Sequence, residues 1–229
     1  MTAAELPIGE RKAQAVEEMF DRIAPRYDLV NRVMTLGLDA GWRRRAVREL
    51  RLTAGAHVVD LGCGTGDLCR VLERSGLKGV GVDMAAGMLA KARTTAPLVR
   101  GDALALPLRD GSVDGAISGF ALRNVVDIAA CFSEAARVIR PGGRAVFLEV
   151  SDPPNPIVRR LHALYFRRVV PLVGGLLSDR RAYAYLPAST AYLPPPDELL
   201  DLLTGAGFTR CRRVQLGMGA AQLLIGVRR

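Results

Sequence analysis

Side chains that hold metal ions or build disulfide frameworks are scarce in this sequence. It has two histidines, His57 and His162, and four cysteines, with no Cys-x-x-Cys pair among them. This inventory excludes a histidine-rich metal site and shows no cluster with metal-ligand spacing. Cysteines without a pairing pattern are typical of a reducing compartment, so a cytoplasmic location is predicted.

Long apolar runs are missing as well. No uncharged stretch approaches the roughly 20 residues that a membrane-spanning helix needs, and the start "MTAAELPIGERKAQ" lacks the apolar centre of a signal peptide. We therefore expect neither a membrane span nor a secretory signal. Lysines are few, but arginines are many and bring the net charge to +9. An anionic partner, either a nucleic acid or a lipid surface, has to be considered.

Short apolar segments alternate with helix-like segments from residue 56 to 151, in a chain whose 229 residues are 49% hydrophobic. The predicted strands are "HVVDLGCG", "GVGVDM", "LVRGDA", "VDGAISGFA" and "RAVFLEVS"; the helices between them include "AAGMLAKART" and "IAACFSEAARVIR", the latter ending at Pro141-Gly142-Gly143. This alternation is typical of a parallel, doubly wound α/β sheet. Two further strand candidates, "CRRVQLGM" and "AQLLIGVRR", lie near the C-terminus.

The whole chain, 1–229, is interpreted as one domain with four parts. Residues 1–52 form an N-terminal helical cap, and 53–151 form the ligand-binding core. Residues 152–195 are a proline-broken, basic stretch that we expect to form an inserted helical lid over the carboxyl ends of the strands. Residues 196–229 supply the last helix and strands.

A glycine turn follows the first predicted strand. In "VVDLGCGTGD", Gly62, Gly64 and Gly66 lie between a strand and a helix, where the missing Cβ lets the backbone approach a ligand closely. A dinucleotide fingerprint has GxGxxG spacing, whereas the spacing here is GxGxG. Asp67 at the helix start would repel a pyrophosphate but suits a ligand with an ammonium and a sulfonium. NAD is therefore a weaker candidate for the ligand. The alternative without any ligand is that the glycines only make a tight turn between strand and helix.

Three acidic residues accompany this turn. Asp60 precedes it, Asp83 ends the second strand where a carboxylate can bind both ribose hydroxyls, and Asp102 ends the third, where it can accept from an adenine amino group. Each alone could be a helix cap or a loop carboxylate. Together with the turn they resemble the cofactor site of class I S-adenosylmethionine-dependent methyltransferases. That resemblance implies a Rossmann-like fold with a seven-stranded, mostly parallel sheet and helices on both faces.

Other segments resemble the ubiquinone/menaquinone biosynthesis C-methyltransferase family. "YDLVNRVMTLGLDAGWRR" and "RVIRPGGRAVFLEVS" are similar to its two signature regions, and "FALRNV", "YAYLPAST" and "LGMGAAQLLIGVRR" also match it. The resemblance runs from about Phe20 to the C-terminus. It implies metal-free methyl transfer from S-adenosylmethionine to a ring carbon of a polyprenylated quinol, first of all demethylmenaquinol. The alternative is the corresponding methylation step of the ubiquinone pathway. The family often has histidine at the position of Asp39, and this difference also allows a substrate with a different ring.

Site residues follow from the motifs and from the resemblance. We expect Arg123 to be a fixed cation that favours the phenolate form of the quinol, with Asn124 beside it. The structural alternative is that Arg123 pairs with an acid such as Asp127 as part of the fold. His162 is a second candidate for the group that removes the proton from the quinol hydroxyl. The predicted cofactor-binding residues are Tyr27, Asp60, Gly62, Gly64, Thr65, Gly66, Asp83, Met84, Asp102, Ala103, Ser118 and Gly119.

A basic, apolar segment suggests a lipid partner. In "IVRRLHALYFRRVVPLVGGLLS", arginine pairs alternate with apolar residues, a pattern that suits a helix at a membrane interface or a lid over an isoprenoid tail. An ordinary lid helix with a solvated arginine face fits equally well. Because a polyprenyl substrate resides in the bilayer, we predict peripheral contact with the inner face of the membrane through 155–178. Whether the chain forms a homodimer stays open.

Three other classes of protein are alternatives to a quinol C-methyltransferase. A nucleic-acid methyltransferase or binder is disfavoured because the arginines are spread over several segments and aromatics make up only 5% of the chain. We therefore predict no nucleic-acid partner. A phospholipid N-methyltransferase and a small-molecule methyltransferase stay open as alternatives.

Overall fold

A seven-stranded sheet forms the centre of the computed structural model, which describes residues 7–169, 185 and 188–229. The strands are β1 (His57–Leu61), β2 (Lys78–Asp83), β3 (Leu98–Arg100), β4 (Val113–Gly119), β5 (Ile139–Val150), β6 (Phe208–Leu216) and β7 (Ala221–Arg228). Their order is β3-β2-β1-β4-β5-β7-β6. Strands β1 to β5 are parallel, and β7 is antiparallel to both β5 and β6. The predicted mostly parallel sheet is confirmed.

Helices cover both faces of the sheet. They are α1 (Gly9–Ile23), α2 (Tyr27–Met34), α3 (Leu38–Leu50), α4 (Asp67–Arg74), α5 (Ala86–Ala90), α6 (Ile128–Val138), α7 (Pro156–Leu164) and α8 (Pro196–Gly205). One core cluster joins Phe132 of α6 and Leu199 of α8 to the sheet, and a second joins Leu50 of α3 and Leu72 of α4 to its other face. Within the described ranges, no helix is long and apolar enough to cross a bilayer.

The strand order places a ligand-binding position at the centre of the sheet. β4 follows β3 in the chain but pairs with β1, on the side opposite β2. The carboxyl ends of β1 and β4 therefore lie side by side, with Leu61 paired to Ser118. In open α/β sheets, such a switch point is where ligands bind.

Two element ends differ from the sequence prediction. α6 ends at Val138 rather than at the Pro141 turn, and β5 begins at Ile139 and runs through that turn. A Cβ on Gly143 would lie 2.5 Å from the carbonyl oxygen of Asp114, so this glycine lets the turn pack against the start of β4. β3 ends at Arg100, which puts Asp102 two residues beyond the strand rather than at its end.

The N-terminal helices lie over the carboxyl edge of the sheet. In α1, Asp21 accepts a hydrogen bond from the Gly87 amide at 2.7 Å, and Glu17 lies 2.7 Å from the guanidinium of Arg100. These contacts fix α1 beside the ends of β2 and β3.

Only part of the predicted lid, 152–195, falls on described residues. Residues 170–184, 186 and 187 lie outside them, so the membrane segment 155–178 is described only up to Val169. Tyr165, which follows α7, donates a hydrogen bond to the Met34 carbonyl at 2.9 Å. α7 thereby meets the end of α2.

Candidate functional site

Most of the predicted cofactor residues line one cavity at the carboxyl ends of β1, β2 and β4. Those on its wall are Tyr27, Gly62, Gly64, Asp83, Met84, Asp102, Ala103, Ser118 and Gly119, together with Asn124. The predicted residues Asp60, Thr65 and Gly66 do not line this cavity, and Arg123 lines a second one. We call the first the cofactor cavity and the second the ring cavity.

Gly62 gives the cofactor cavity a narrow backbone cradle. Its φ of +67° lies in the left-handed region, and a Cβ there would meet the Cβ of Ala121 at 2.7 Å. Any side chain would therefore strain the turn and push into the strand exit opposite. The glycine turn fits a ligand that approaches the backbone closely.

The carboxylate of Asp83 ties the glycine turn to the end of β2. It accepts hydrogen bonds from the amides of Gly64 at 2.7 Å and Ala85 at 2.9 Å. Burial raises the pKa of Asp83, and these two amide donors oppose that shift. Each carboxylate oxygen has a second lone pair, so the group can still accept from a diol such as a ribose.

Asp60 is a buried acid with an unsatisfied oxygen. Its side chain accepts a weak bond from the Cys69 thiol at 3.4 Å, but Oδ1 has no hydrogen-bond partner among the described residues. Burial, reinforced by the nearby Asp83 carboxylate, raises the pKa of Asp60 to about 7. An unsatisfied acceptor two residues before Gly62 suits a ligand that brings positive charge, as S-adenosylmethionine does.

Thr65 links the glycine turn to the N-terminal helices. Its hydroxyl donates to Asp28 in the first turn of α2 at 2.5 Å. The Thr65 hydroxyl proton is therefore used to hold α2, and contact of Thr65 with the cofactor stays a prediction. Tyr27, the neighbour of Asp28, lies on the wall of both cavities.

Helix α1 contributes a wall that sequence reasoning missed. Ala13, Val16, Glu17 and Phe20 all face the cofactor cavity. Val16, Phe20 and Ile23 are spaced as one face of an amphipathic helix. That periodicity predicts a buried face, but it does not say which surface the face covers.

The ring cavity has a volume of about 530 Å³ and is the larger of the two. It lies between α2, α3, α7 and the exit of β4. Its apolar wall includes Met34, Leu38, Trp42, Val158, Leu161 and Met218, and its polar wall includes Asn31, Asp39, Arg43, Arg123, His162 and Tyr165. Tyr27 and Phe120 belong to both cavities, so a ligand in one is a neighbour of a ligand in the other.

Arg123 is buried in a short 3₁₀ turn and is paired with Glu149 rather than with Asp127. Its Nη1 donates to Glu149 Oε1 at 2.5 Å and to the Phe120 carbonyl at 2.8 Å, and its Nε donates to Ser189 at 3.2 Å. Asp127 instead caps α6 by accepting from an amide of its first turn. A glutamate inside the apolar segment "FLEV" was the available sign that this strand needed a cationic partner.

Phe120 is held in a strained conformation between the two cavities. Its φ of +62° is unusual for a residue with a side chain. The side chains of Arg123 and Asn124 both donate to its backbone carbonyl oxygen, while the side-chain oxygen Oδ1 of Asn124 accepts from the Tyr185 hydroxyl at 3.4 Å. Strain kept by such contacts is characteristic of functional sites.

His162 lies on the wall of the ring cavity, as its rival role requires. Burial lowers the pKa of His162 and so favours the neutral imidazole, whereas the nearby Asp152 opposes this shift. His57 lies at the start of β1, away from both cavities. Among the described residues, no three acidic, histidine or cysteine side chains are grouped as around a metal ion.

Comparison with known proteins agrees with this geometry. Residues 8–228 match the model of the ubiE/COQ5 methyltransferase family. The chain belongs to this family. It is therefore an S-adenosylmethionine-dependent methyltransferase, as the sequence resemblance predicted.

Two curated relatives illustrate the match. A protein of Roseiflexus castenholzii named demethylmenaquinone methyltransferase is 45% identical, over 98% of each chain. One of Syntrophotalea carbinolica named ubiquinone/menaquinone biosynthesis C-methyltransferase UbiE is 39% identical, over 95% of this chain and 96% of its own. A crystal structure of an S-adenosylmethionine-dependent methyltransferase of Thermotoga maritima has a TM-score of 0.66 at 23% identity, covering 93% of this chain and all of that one. At that identity the structure supports the fold alone.

Proposed function

We propose that this enzyme methylates a ring carbon of a polyprenylated quinol and converts demethylmenaquinol into menaquinol. The observation that carries the proposal is the apolar ring cavity, which has Arg123 in its wall and adjoins the cofactor cavity through Tyr27 and Phe120. Three relatives named demethylmenaquinone methyltransferase, 42–45% identical, support the same substrate.

The residues of the cofactor cavity fit S-adenosylmethionine, which supplies an activated methyl group on a positively charged sulfur. Asp83 would bind the ribose hydroxyls, and Asp102 would accept from the adenine amino group. The backbone at Gly62 and Gly64 would carry the amino-acid part, with Asp60 supplying negative charge nearby. Helix α1 would cover the ligand and exclude water.

Arg123 would favour the anionic form of the quinol. A quinol hydroxyl has a pKa near that of tyrosine, about 10, so the ring becomes a good carbon nucleophile only where the protein stabilises its phenolate. Arg123 lines the ring cavity, and its guanidinium has five N–H donors, so it can also donate to a quinol oxygen placed there. Glu149 fixes the guanidinium and makes the pair neutral, so Arg123 acts as a directed donor at close range.

His162 is the candidate proton acceptor. A neutral imidazole on the same wall can take the hydroxyl proton while Arg123 holds the resulting oxygen. His162→Gln is expected to lower kcat and to remove an acidic limb from the pH profile of kcat. An unchanged profile would assign proton removal to a water molecule beside Arg123.

One assay tests the substrate. Purified enzyme is incubated with labelled S-adenosylmethionine and, in parallel, short-chain demethylmenaquinol, the corresponding ubiquinone-pathway quinol and phosphatidylethanolamine. We expect transfer to demethylmenaquinol. Transfer to the other quinol alone would move the enzyme to the ubiquinone pathway, and transfer to the phospholipid alone would overturn the proposal.

We also propose that the ring cavity opens toward a membrane surface. Leu36, Leu38, Leu161 and Met218 line this cavity, and each is more than half exposed. The outer face of α7 adds exposed Ile157 and Leu164 beside two exposed arginines. Apolar side chains at a cavity mouth, with cations alongside, suit an anionic bilayer that holds the substrate.

Vesicle sedimentation tests the membrane proposal. The enzyme is expected to sediment with vesicles that contain anionic lipid and to stay in solution with purely zwitterionic ones. Leu161→Asp should reduce sedimentation, whereas Ile8→Asp, a change at a still more exposed position outside the ring cavity, should not. Equal effects of the two variants would contradict a specific contact.

A further inference from the structure

We propose that Asp39 selects the reduced ring by accepting a hydrogen bond from the second quinol hydroxyl, the one that stays protonated. This inference rests on the proposed function and assigns a specificity-determining residue to the ring cavity. Asp39 lies in the first turn of α3, is 7% exposed and lines that cavity.

Two neighbours hold the Asp39 carboxylate in place. The Thr35 hydroxyl lies 2.8 Å from Oδ1 and shares its one proton between this oxygen and the Asn31 carbonyl, also at 2.8 Å, and Arg43 Nη1 donates to Oδ2. Nη2 of Arg43 also lies 3.2 Å from Asp67 Oδ2, outside the wall of the ring cavity. One buried cation is thus shared by two carboxylates, and Asp67 is also paired with Arg70, so the four side chains together are neutral.

A carboxylate in this position distinguishes a hydroxyl from a carbonyl. It can only accept hydrogen bonds, and each oxygen of Asp39 has a lone pair beyond the one already used. A quinol hydroxyl placed against it gains a charge-assisted bond. A quinone carbonyl at the same place is itself an acceptor, so its oxygen and the carboxylate repel each other. The cost of removing both oxygens from water is then not offset by a hydrogen bond.

This acceptor and the Arg123 donor reach the wall of the cavity from different elements, Asp39 from the first turn of α3 and Arg123 from the turn after β4. The Arg43 guanidinium lies 5.5 Å from the ring centroid of Phe120, whereas Arg123 bonds to the backbone carbonyl of the same residue. A 1,4-quinol carries its oxygens at opposite ends of the ring. One oxygen can therefore face Arg123 and ionise while the other faces Asp39 and keeps its proton, which fixes the orientation of the ring.

Binding of the two redox forms tests the proposal directly. The only tryptophan, Trp42, lines the ring cavity, so quenching of its fluorescence reports occupancy. The enzyme is loaded with S-adenosylhomocysteine to prevent turnover, and short-chain demethylmenaquinol under anaerobic conditions is compared with demethylmenaquinone. Wild type should bind the quinol at least about tenfold more tightly, as expected for a site that hydrogen-bonds a substrate hydroxyl.

Two variants separate Asp39 from its surroundings. Asp39→Asn, which supplies a donor as well as an acceptor, should reduce the preference to less than about threefold. Asp67→Asn is the control, because it removes the carboxylate that Arg43 shares with Arg70 and leaves Asp39 unchanged. Once calorimetry shows that this variant still binds S-adenosylhomocysteine, its preference should equal that of wild type. No preference in wild type, a retained preference in Asp39→Asn, or an equal loss in both variants would overturn the proposal.

A substrate analogue makes the test independent of variant folding. A short-chain prenylated naphthol can keep the hydroxyl beside the methyl-accepting carbon and carry hydrogen in place of the other hydroxyl. Wild type should show a KM for it raised about tenfold over that of the quinol, and an unchanged KM would refute the role of Asp39. Failure of the proposed function would appear differently, as no turnover of demethylmenaquinol at all.

Discussion

The guanidinium of Arg123 lies 2.5 Å from the carboxylate of Glu149, and both side chains are almost fully buried. The same carboxylate accepts hydrogen bonds from the Arg123 and Val150 amides. A buried pair of this kind contributes modestly to stability as a unit, but losing one partner leaves an uncompensated charge. The pair therefore fixes the geometry of a guanidinium that faces the ring cavity.

Arg123→Lys keeps the charge but loses the planar fork that reaches Glu149, Phe120 and the cavity together. We expect kcat for quinol methylation to fall by about 10²–10³-fold, the usual cost of removing one oxyanion donor. Affinity for S-adenosylhomocysteine, measured by calorimetry, should stay near that of wild type because Arg123 does not line the cofactor cavity. A variant with normal kcat would remove Arg123 from the reaction.

Glu149→Gln should act on folding before it acts on the reaction. The substitution leaves the buried Arg123 without its counter-ion, and we expect the free energy of unfolding to fall by about 3–5 kcal/mol. Urea denaturation measures this loss. Stability equal to that of wild type would mean that another group neutralises Arg123.

Gly62→Ala should abolish close approach of the cofactor to the glycine turn. The alanine has to adopt the left-handed φ of +67°, and its Cβ meets the Cβ of Ala121 at 2.7 Å. Gly142→Ala is the matched control, because Gly142 also has a positive φ, of +81°, but nothing lies within 4 Å of its added Cβ. Gly142→Ala should lose about 1 kcal/mol of stability because of its left-handed φ, and Gly62→Ala should lose more because its Cβ also collides with Ala121. Only Gly62→Ala should weaken S-adenosylhomocysteine binding. Equal affinities would show that the cradle is not used.

The parts of the site that the sequence predicted depend on residues that lie close together in the chain. The glycine turn and Asp83 each stand directly at a strand end, so a parallel sheet brings them together once the strands are recognised. Asp102 is the exception, since β3 is short and its acid lies beyond it. The position of Arg123 at the exit of the fourth strand was likewise predicted from the switch point of the sheet, whereas Tyr27 came from the family resemblance.

The parts that were missed depend on contacts between distant segments. Glu149 is 26 residues from Arg123, and Lys12 is 113 residues from the carbonyl it binds. Amphipathic spacing shows that α1 buries one face, but which cavity that face covers is decided by tertiary packing. The ring cavity likewise combines α2, α3 and α7 with the loop before β7. No local pattern marks those segments as neighbours.

Asp60 should make the apo enzyme less stable as the pH rises. Its pKa in the folded state, about 7, is above the ordinary value of about 4, so the folded state holds more protons between pH 4 and pH 7. Stability from this group is complete below pH 4 and is lost as the pH rises to 7, by on the order of 4 kcal/mol. Asp60→Asn should flatten the curve of unfolding free energy against pH in that window. A variant curve parallel to that of wild type would contradict the assignment.

A lysine joins α1 to the exit of the cofactor cavity. Lys12 donates to the Val125 carbonyl at 2.6 Å and lies 3.7 Å from the ring centroid of Tyr192. Burial lowers the pKa of Lys12 to about 8, although the aromatic ring favours the ammonium form. Since α1 also lines the cofactor cavity, this contact should limit how fast a bound cofactor leaves.

Lys12→Met keeps the long stem but removes the donor, and we expect S-adenosylhomocysteine to dissociate up to about tenfold faster, in line with a lost hydrogen bond of about 1 kcal/mol. When α1 undocks, Lys12 regains its usual pKa of about 10.4, so between pH 8 and pH 10 the undocked state binds more protons than the docked state. Docking of α1 should therefore strengthen as the pH rises from 8 to 10 in wild type, and not in the variant. Stopped-flow dissociation at several pH values measures both effects. Arg11→Met, at an exposed position of the same helix, should change neither the dissociation rate nor its pH dependence. If it accelerates release as much as Lys12→Met does, the loss of positive charge on α1 controls release, and the Lys12 contact does not.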